Sequence, residues 1–182
     1  MIKTPNNKII ALNQERVMAD EEFIVSKTDL KGNITYANRV FMEIARYSEE
    51  QLLNKNHNLV RHPDMPKGVF KFLWQTLKKG DEFFGFVKNL CSDGCYYWVF
   101  ANVTPEYDQD NKVCGYFSVR RKPPASAIKI IAPLYQQMLQ VEQEASSDKI
   151  AEEQSIKLLQ QQLLKLDTNY QDLVIKLFNS KD

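Results

Sequence analysis

The hydrophobic pattern changes character near Glu22, and from there it predicts a series of short elements. Phe23 to Thr28 is a β-prone run, Asp29-Leu30-Lys31-Gly32-Asn33 turns the chain, and Ile34 to Ala37 forms a second short strand, a hairpin signal. Asn38 stands where a helix cap belongs, and Val40, Phe41, Ile44 and Ala45 follow at a 3.6-residue period, predicting a helix through Arg46. Ser48-Glu49-Glu50-Gln51 reads as a capping box for a one-turn helix ending at Leu52-Leu53. The stretch from Asn54 to Pro66 is irregular. Beyond Pro66, the positions of Val69, Phe70, Leu73, Trp74 and Leu77 predict an amphipathic helix that Lys78-Lys79-Gly80 ends.

Three longer strands follow: Phe83 to Cys91, then Tyr96 to Thr104 with Pro105 ending it, then Val113 to Arg121. Asp93-Gly94 and Asp108-Gln109-Asp110-Asn111 supply the turns. Two strands, three short helices and three strands predict an α+β fold: a five-stranded antiparallel sheet with short helices on one face, plus C-terminal helices. Residues 1–21 read as an amphipathic lead-in carrying Ile9, Ile10, Leu12 and Val17, 22–124 as the domain, and 125–182 as a helical segment. In that segment Ala127 to Glu144 is interrupted early by Pro133. From about Ser147 to Asn179, Ile156, Leu159, Leu163, Leu166, Tyr170, Leu173 and Leu177 alternate spacings of three and four. That stripe fits a coiled coil through 156–177, joining a homodimer or a partner helix, and a helical hairpin within one chain would show it equally.

Composition narrows the class. Of 182 residues, 43% are hydrophobic and 26% charged, which suits a packed domain with an appendage. Lys and Arg number 24 against 23 Asp and Glu, so no excess charge points to nucleic acid or to an anionic membrane surface. The polar start, Met1 to Lys8, is unlike a secretory leader, and no window approaches the about 20 apolar residues of a membrane helix. A cytoplasmic protein without direct membrane insertion is expected. The three cysteines, Cys91, Cys95 and Cys114, lack the number and spacing of a disulfide framework or metal site and read as strand-filling thiols. No nucleophile–base arrangement, Walker lysine motif or recognisable carboxylate pair is visible, so an enzyme is not expected.

The order of elements resembles the PAS fold. Within it, residues from Thr28 to Leu139 resemble the FAD-binding PAS domain of bacterial aerotaxis and energy-taxis receptors. The resemblance is carried by Thr28-Asp29-Leu30, Ile34-Thr35, Ala37-Asn38, His57-Asn58, the run Val60-Arg61-His62-Pro63-Asp64-Met65-Pro66-Lys67, Trp74, Thr76 to Gly80, Val87-Lys88-Asn89, Tyr97-Trp98-Val99 and Pro133-Leu134-Tyr135. The run from Arg61 to Lys67 is the most specific part. Known receptors of this type continue into a membrane anchor and a signalling module. This chain instead resembles a split arrangement in which a soluble PAS protein works with a separate membrane-bound methyl-accepting chemotaxis transducer and so associates with the inner membrane through a partner.

The resemblance implies a flavin site. Arg61 is its pyrophosphate candidate, because guanidinium is a planar fork of donors that stays charged. The plainer reading pairs Arg61 with Asp64 as a loop staple, and Asp64 belongs to the implied site through the same motif. His57 and His62, the only histidines, can each bridge a flavin group to the backbone or ligate haem iron. Asn38 contacts the cofactor or simply caps a helix. Asn89 stands where flavin-binding relatives place an amide against the pyrimidine edge. Arg120 occupies the position of a glutamine near flavin N5 and O4 in photosensory relatives; a donor-only group there favours an anionic reduced flavin. Trp74 and Trp98 read as core. Phe83 stands where close relatives carry a tryptophan beside the ring. Light-sensing relatives place a reactive cysteine before the third strand, where this chain has none. The expected function is a redox sensor that binds FAD. A cofactor-free dimerisation or docking module and a haem-based gas sensor are the rivals.

Overall fold

The computed structural model describes residues 9–180, so the expectations for Met1 to Lys8 lie outside the described residues. Five strands form the sheet: β1 (Ile24–Thr28), β2 (Ile34–Ala37), β3 (Phe83–Leu90), β4 (Tyr96–Tyr107) and β5 (Val113–Arg121). Their order is β2-β1-β5-β4-β3, and every neighbouring pair is antiparallel. Between β2 and β3 lie α1 (Arg39–Ala45), α2 (Glu49–Leu52), a 3-10 turn (His57–Val60) and α3 (Lys67–Leu77). After β5 come α4 (Ala125–Glu144), α5 (Asp148–Lys165) and α6 (Tyr170–Asn179). The α+β expectation holds.

Local chemistry explains the first half. The Asp29 carboxylate accepts from the Lys31 and Asn33 backbone N–H groups, each at 2.8 Å, and closes the β1–β2 turn, where Gly32 takes a φ of +80°. Asn38 caps α1: its Oδ1 accepts from Phe41 N at 3.1 Å and from Val25 N at 3.0 Å, and its Nδ2 donates to the Phe23 carbonyl at 2.7 Å. The side chain thereby ties α1 to β1. The capping box at Ser48 and Gln51 forms as its sequence predicts.

Three boundaries differ from expectation. β4 runs through Pro105 to Tyr107, because β3 pairs with it only as far as Val103. Past that residue one side of β4 is open, where a missing N–H is tolerated. α4 continues through Pro133. An interior proline costs about 3 kcal/mol, but burial of Ala127, Ile131, Tyr135 and Met138 on one face offsets it at about 1.5–3 kcal/mol for each large side chain. The C-terminal stripe is split in two. α5 ends at Lys165, Asp167 adopts a left-handed φ of 49°, and Asn169 caps α6 by accepting from Asp172 N at 2.9 Å. Leu159, Leu163, Tyr170, Val174 and Leu177 are buried within the chain, while Leu166, at the break, is 62% exposed. The stripe therefore forms an intramolecular hairpin in place of one long coiled-coil helix.

β3 is an edge strand, and the chain covers that edge itself. The Tyr135 hydroxyl donates to the Phe86 carbonyl at 2.9 Å, and Arg61 bridges Asn89 in antiparallel fashion. α6 passes around the same side: Tyr170 stacks on Phe83, and Phe178 stacks on Phe100 at 4.1 Å. The lead-in lies along the β3–β4 hairpin through Leu12 N to Gly94 O, Arg16 N to Tyr96 O and an Arg16–Asp93 ion pair. Cys91 and Cys95 are buried near that turn as expected, whereas Cys114 is exposed.

Candidate functional site

A cavity of about 500 Å³ separates the sheet from α3. Its floor is built from alternate residues of four strands: Ser26 and Thr28 on β1, Val87 and Asn89 on β3, Ala101 and Val103 on β4, and Tyr116, Ser118 and Arg120 on β5. Side chains two apart on a strand share a face, so each strand contributes a matched set. The opposite wall is α3, through Phe70, Leu73, Trp74 and Leu77. The segment Asn56-His57-Asn58 with Arg61 closes one end.

Arg120 organises the floor. It is 5% exposed; Nη2 donates to Ser26 Oγ at 2.6 Å and to His57 Nε2 at 2.8 Å, and Nε donates to Ser118 Oγ at 3.1 Å. Its guanidinium also lies 5.2 Å from the centre of the Phe41 ring. Guanidinium only donates, so His57 must accept at Nε2 and carry its proton on Nδ1. Burial, reinforced by the Arg120 charge, pushes the His57 pKa down to about 3, so the ring is neutral. Burial lowers Arg120 to about 10, with Tyr97 opposing, and it remains a cation at neutral pH.

No carboxylate lines the cavity among the described residues, whereas Lys31, Arg61, Lys78 and Arg120 all do. A buried cation with only neutral partners is costly unless further acceptors reach it. Three buried polar atoms here lack a well-formed hydrogen bond: Arg120 Nη1, Asn89 Nδ2 and the Tyr97 hydroxyl, the last two close enough to interact with each other. Buried unmatched donors of this kind mark a site that a ligand's acceptors would complete. The arrangement suits a flat, partly apolar molecule with acceptors along one edge and negative charge elsewhere.

The expected site residues divide into two groups. His57, Arg61, Asn89 and Arg120 line the cavity. Asn38, His62, Asp64 and Phe83 are not among its lining residues. Asn38 uses its amide as the α1 cap, which is the plainer of its two readings. His62 is buried elsewhere: its Nδ1 accepts from Asp64 N at 3.0 Å and its ring meets the edge of Tyr96. Asp64 pairs with Lys88 at 2.6 Å instead of stapling Arg61, whose Nη2 donates to the Met65 carbonyl at 2.8 Å. Phe83 is buried against Tyr170 and Phe72, so the α6 aromatic, not a ring in the cavity, is its stacking partner. Conversely, Trp74, read from sequence as core, lines the cavity and meets Tyr116 edge-on at 5.3 Å. Ser26 and Ser118 escaped the sequence reading. Their signal was present: with Arg120 they are polar residues on the core-facing parity of β1 and β5.

The family profile for the PAS fold matches residues 34–120. The chain is 42% identical over 122 residues to the aerotaxis receptor of Escherichia coli (strain K12), an alignment covering 67% of this chain and 24% of that one. It is 34% identical over 97 residues to the nitrogen fixation regulatory protein of Klebsiella pneumoniae, covering 53% of this chain and 20% of that one. Among solved structures, the light state of the blue-light photoreceptor Aureochrome1 LOV superposes with a TM-score of 0.53 at 21% identity, covering 68% of this chain and 94% of that one. The last similarity bears on the fold alone. Residues 34–120 form a PAS domain, and that domain is of the aerotaxis-receptor type. The chain spans about a quarter of the length of that receptor. These relatives are a receptor and a regulatory protein by name, and each alignment spans a quarter or less of its relative.

Proposed function

We propose that the chain is a redox sensor for energy taxis that binds FAD between the sheet and α3 and reports its state to a separate membrane-bound chemotaxis transducer. The observation that carries the reading is the unmatched donor Arg120 Nη1, with Asn89 Nδ2 beside it, set in a cavity lined by four cations and, among the described residues, by no carboxylate. When bound, the isoalloxazine ring supplies reversible uptake of electrons and protons. Asn89 and Arg120 would meet the acceptor edge of that ring, while Arg61, with Lys31 and Lys78, would complement the pyrophosphate. Phe70, Leu73 and Trp74 exclude water over the apolar part. As a group that only donates, Arg120 favours a ring carrying negative charge.

The relay to a transducer draws its support from the likeness to the aerotaxis receptor. Placement in the cytoplasm accords with the described residues, none of whose helices is long and apolar enough to cross a membrane. Haem has weaker support. The Nε2 of His57 is engaged by Arg120, and His62 stands outside the cavity, so neither ring offers a free nitrogen to an iron held there.

The visible spectrum of the purified protein tests the reading. A yellow protein whose two absorption bands, in the near-ultraviolet and the blue, bleach with dithionite is expected. A sharp Soret band would replace the flavin with haem. A colourless protein that ignores added FAD would leave only a docking or dimerisation module.

A further inference from the structure

Helix α3 has two working faces. One forms the cavity wall through Phe70, Leu73, Trp74 and Leu77. The other is held by the C-terminal helices. α3 starts after Pro66, which provides no side-chain cap, so the first N–H groups of the helix need an outside acceptor. That acceptor is Glu142, near the end of α4: its two carboxylate oxygens receive Lys67 N and Gly68 N, each at 2.9 Å. A carboxylate at this position also suits the positive end of the helix dipole.

α5 continues the grip. Lys67 pairs with Asp148 at 2.5 Å and Lys71 with Glu152 at 3.3 Å. Gly68 lies so close to α5 that an added Cβ would stand 2.6 Å from Ser155 Oγ. Arg61 completes the connection. It lines the cavity and bonds to the carbonyl of Met65, two residues before α3 begins.

We propose that α4 and α5 form a clasp on α3, with Glu142 as its remote cap, and that ligand in the cavity and closure of this clasp favour each other. The linkage rests on the flavin reading above, but the clasp itself does not. The physical basis is that both require the first turn of α3 in one position. Whatever orders that turn from the cavity side reduces the cost of ordering it from the arm side, and the coupling is reciprocal. On this account α3 carries the signal to the C-terminal helices, in addition to any route through the sheet.

Hydrogen exchange on the full chain, with and without saturating FAD, tests the clasp. FAD should slow exchange in α5 (Asp148–Lys165) as well as in α3. Glu142→Ala should weaken FAD binding about fivefold or more, and the near-isosteric Glu142→Gln, which keeps an acceptor, should fall between it and wild type. In the ligand-free protein, Glu142→Ala should speed exchange in the first turn of α3 and in α5 together. Protection of α3 without any change in α5 would overturn the proposal, as would wild-type FAD affinity in both folded variants. Faster exchange in α5 on adding FAD would overturn it too. A wild type that binds no FAD, with α3 and α5 still loosening together in Glu142→Ala, would sink the flavin reading and the linkage while the clasp stands.

Discussion

The segment from His57 to Pro66 turns one end toward the cavity and the other toward the outer edge of β3, and the two ends use the same residue types differently. At the cavity end, His57 is neutral and saturated, stacked on Phe41 and accepting from Arg120, and Arg61 lies over the Phe70 ring at 4.5 Å. At the edge end, His62 N donates to the Lys88 carbonyl at 3.4 Å. The Lys88 ammonium sits 4.1 Å from the centre of the Tyr96 ring while pairing with Asp64. One short motif thus both closes one end of the cavity and seals a sheet edge. Membership of the motif therefore does not make a residue a ligand contact.

The largest expected effect is that of acid on the cavity end. His57 is neutral when folded, with a pKa near 3, against 6.5 for a free histidine. The unfolded chain therefore binds the extra proton first, and stability falls as pH drops from 6.5 toward 3, then levels off. The slope reaches at most about 1.4 kcal/mol per pH unit. Denaturant titrations from pH 7 to 4 should show a shallower fall for His57→Gln than for wild type. His62 contributes in the same sense, since burial and Lys88 also lower its pKa.

Next in size is Arg120→Met. Losing charge-assisted bonds worth about 1.5–3 kcal/mol should weaken FAD binding by roughly 10- to 150-fold in a fluorescence titration. The ligand-free protein should melt close to wild type, because relief of a buried cation without an anionic partner is offset by leaving Ser26 Oγ, Ser118 Oγ and His57 Nε2 without their donor. A lower melting temperature with unchanged affinity would make Arg120 purely structural. Arg61→Ala should cost about tenfold in affinity, together with a small loss of stability from the Phe70 and Met65 contacts. The smallest effect belongs to Asp64→Ala. Its carboxylate is 58% exposed, so the Lys88 pair is worth less than about 1 kcal/mol and FAD affinity should not move. A large loss there would erase the contrast between the two ends of the segment.

Sequence periodicity carried the fold well where one force dominated. The capping box at Ser48, the Asn38 cap and the strand alternation all appear as written. It failed where packing overrode a local rule, as when the buried face of α4 carried a helix through Pro133. It was ambiguous where one stripe served two topologies, and the break at Asp167 chose the hairpin. The site was half legible. Of the residues singled out by the resemblance, His57, Arg61, Asn89 and Arg120 line the cavity, while Asn38, His62, Asp64 and Phe83 lie outside its lining, held by partners that the motif does not specify. The Phe83–Tyr170 stack and the Glu142 cap depend on how the C-terminal helices return to the domain, which neither the motif nor local propensity encodes.

The central claim is that Arg120 and Asn89 hold unmatched donors for a ligand edge. Side-chain N–H spectra of selectively nitrogen-15-labelled arginine and asparagine, recorded while FAD is added, address those atoms directly. The account predicts that the Arg120 guanidinium and Asn89 amide signals shift and become protected from exchange at one equivalent of FAD, while the Asn38 amide signals stay in place. FAD binding that leaves the Arg120 and Asn89 signals unmoved would contradict it.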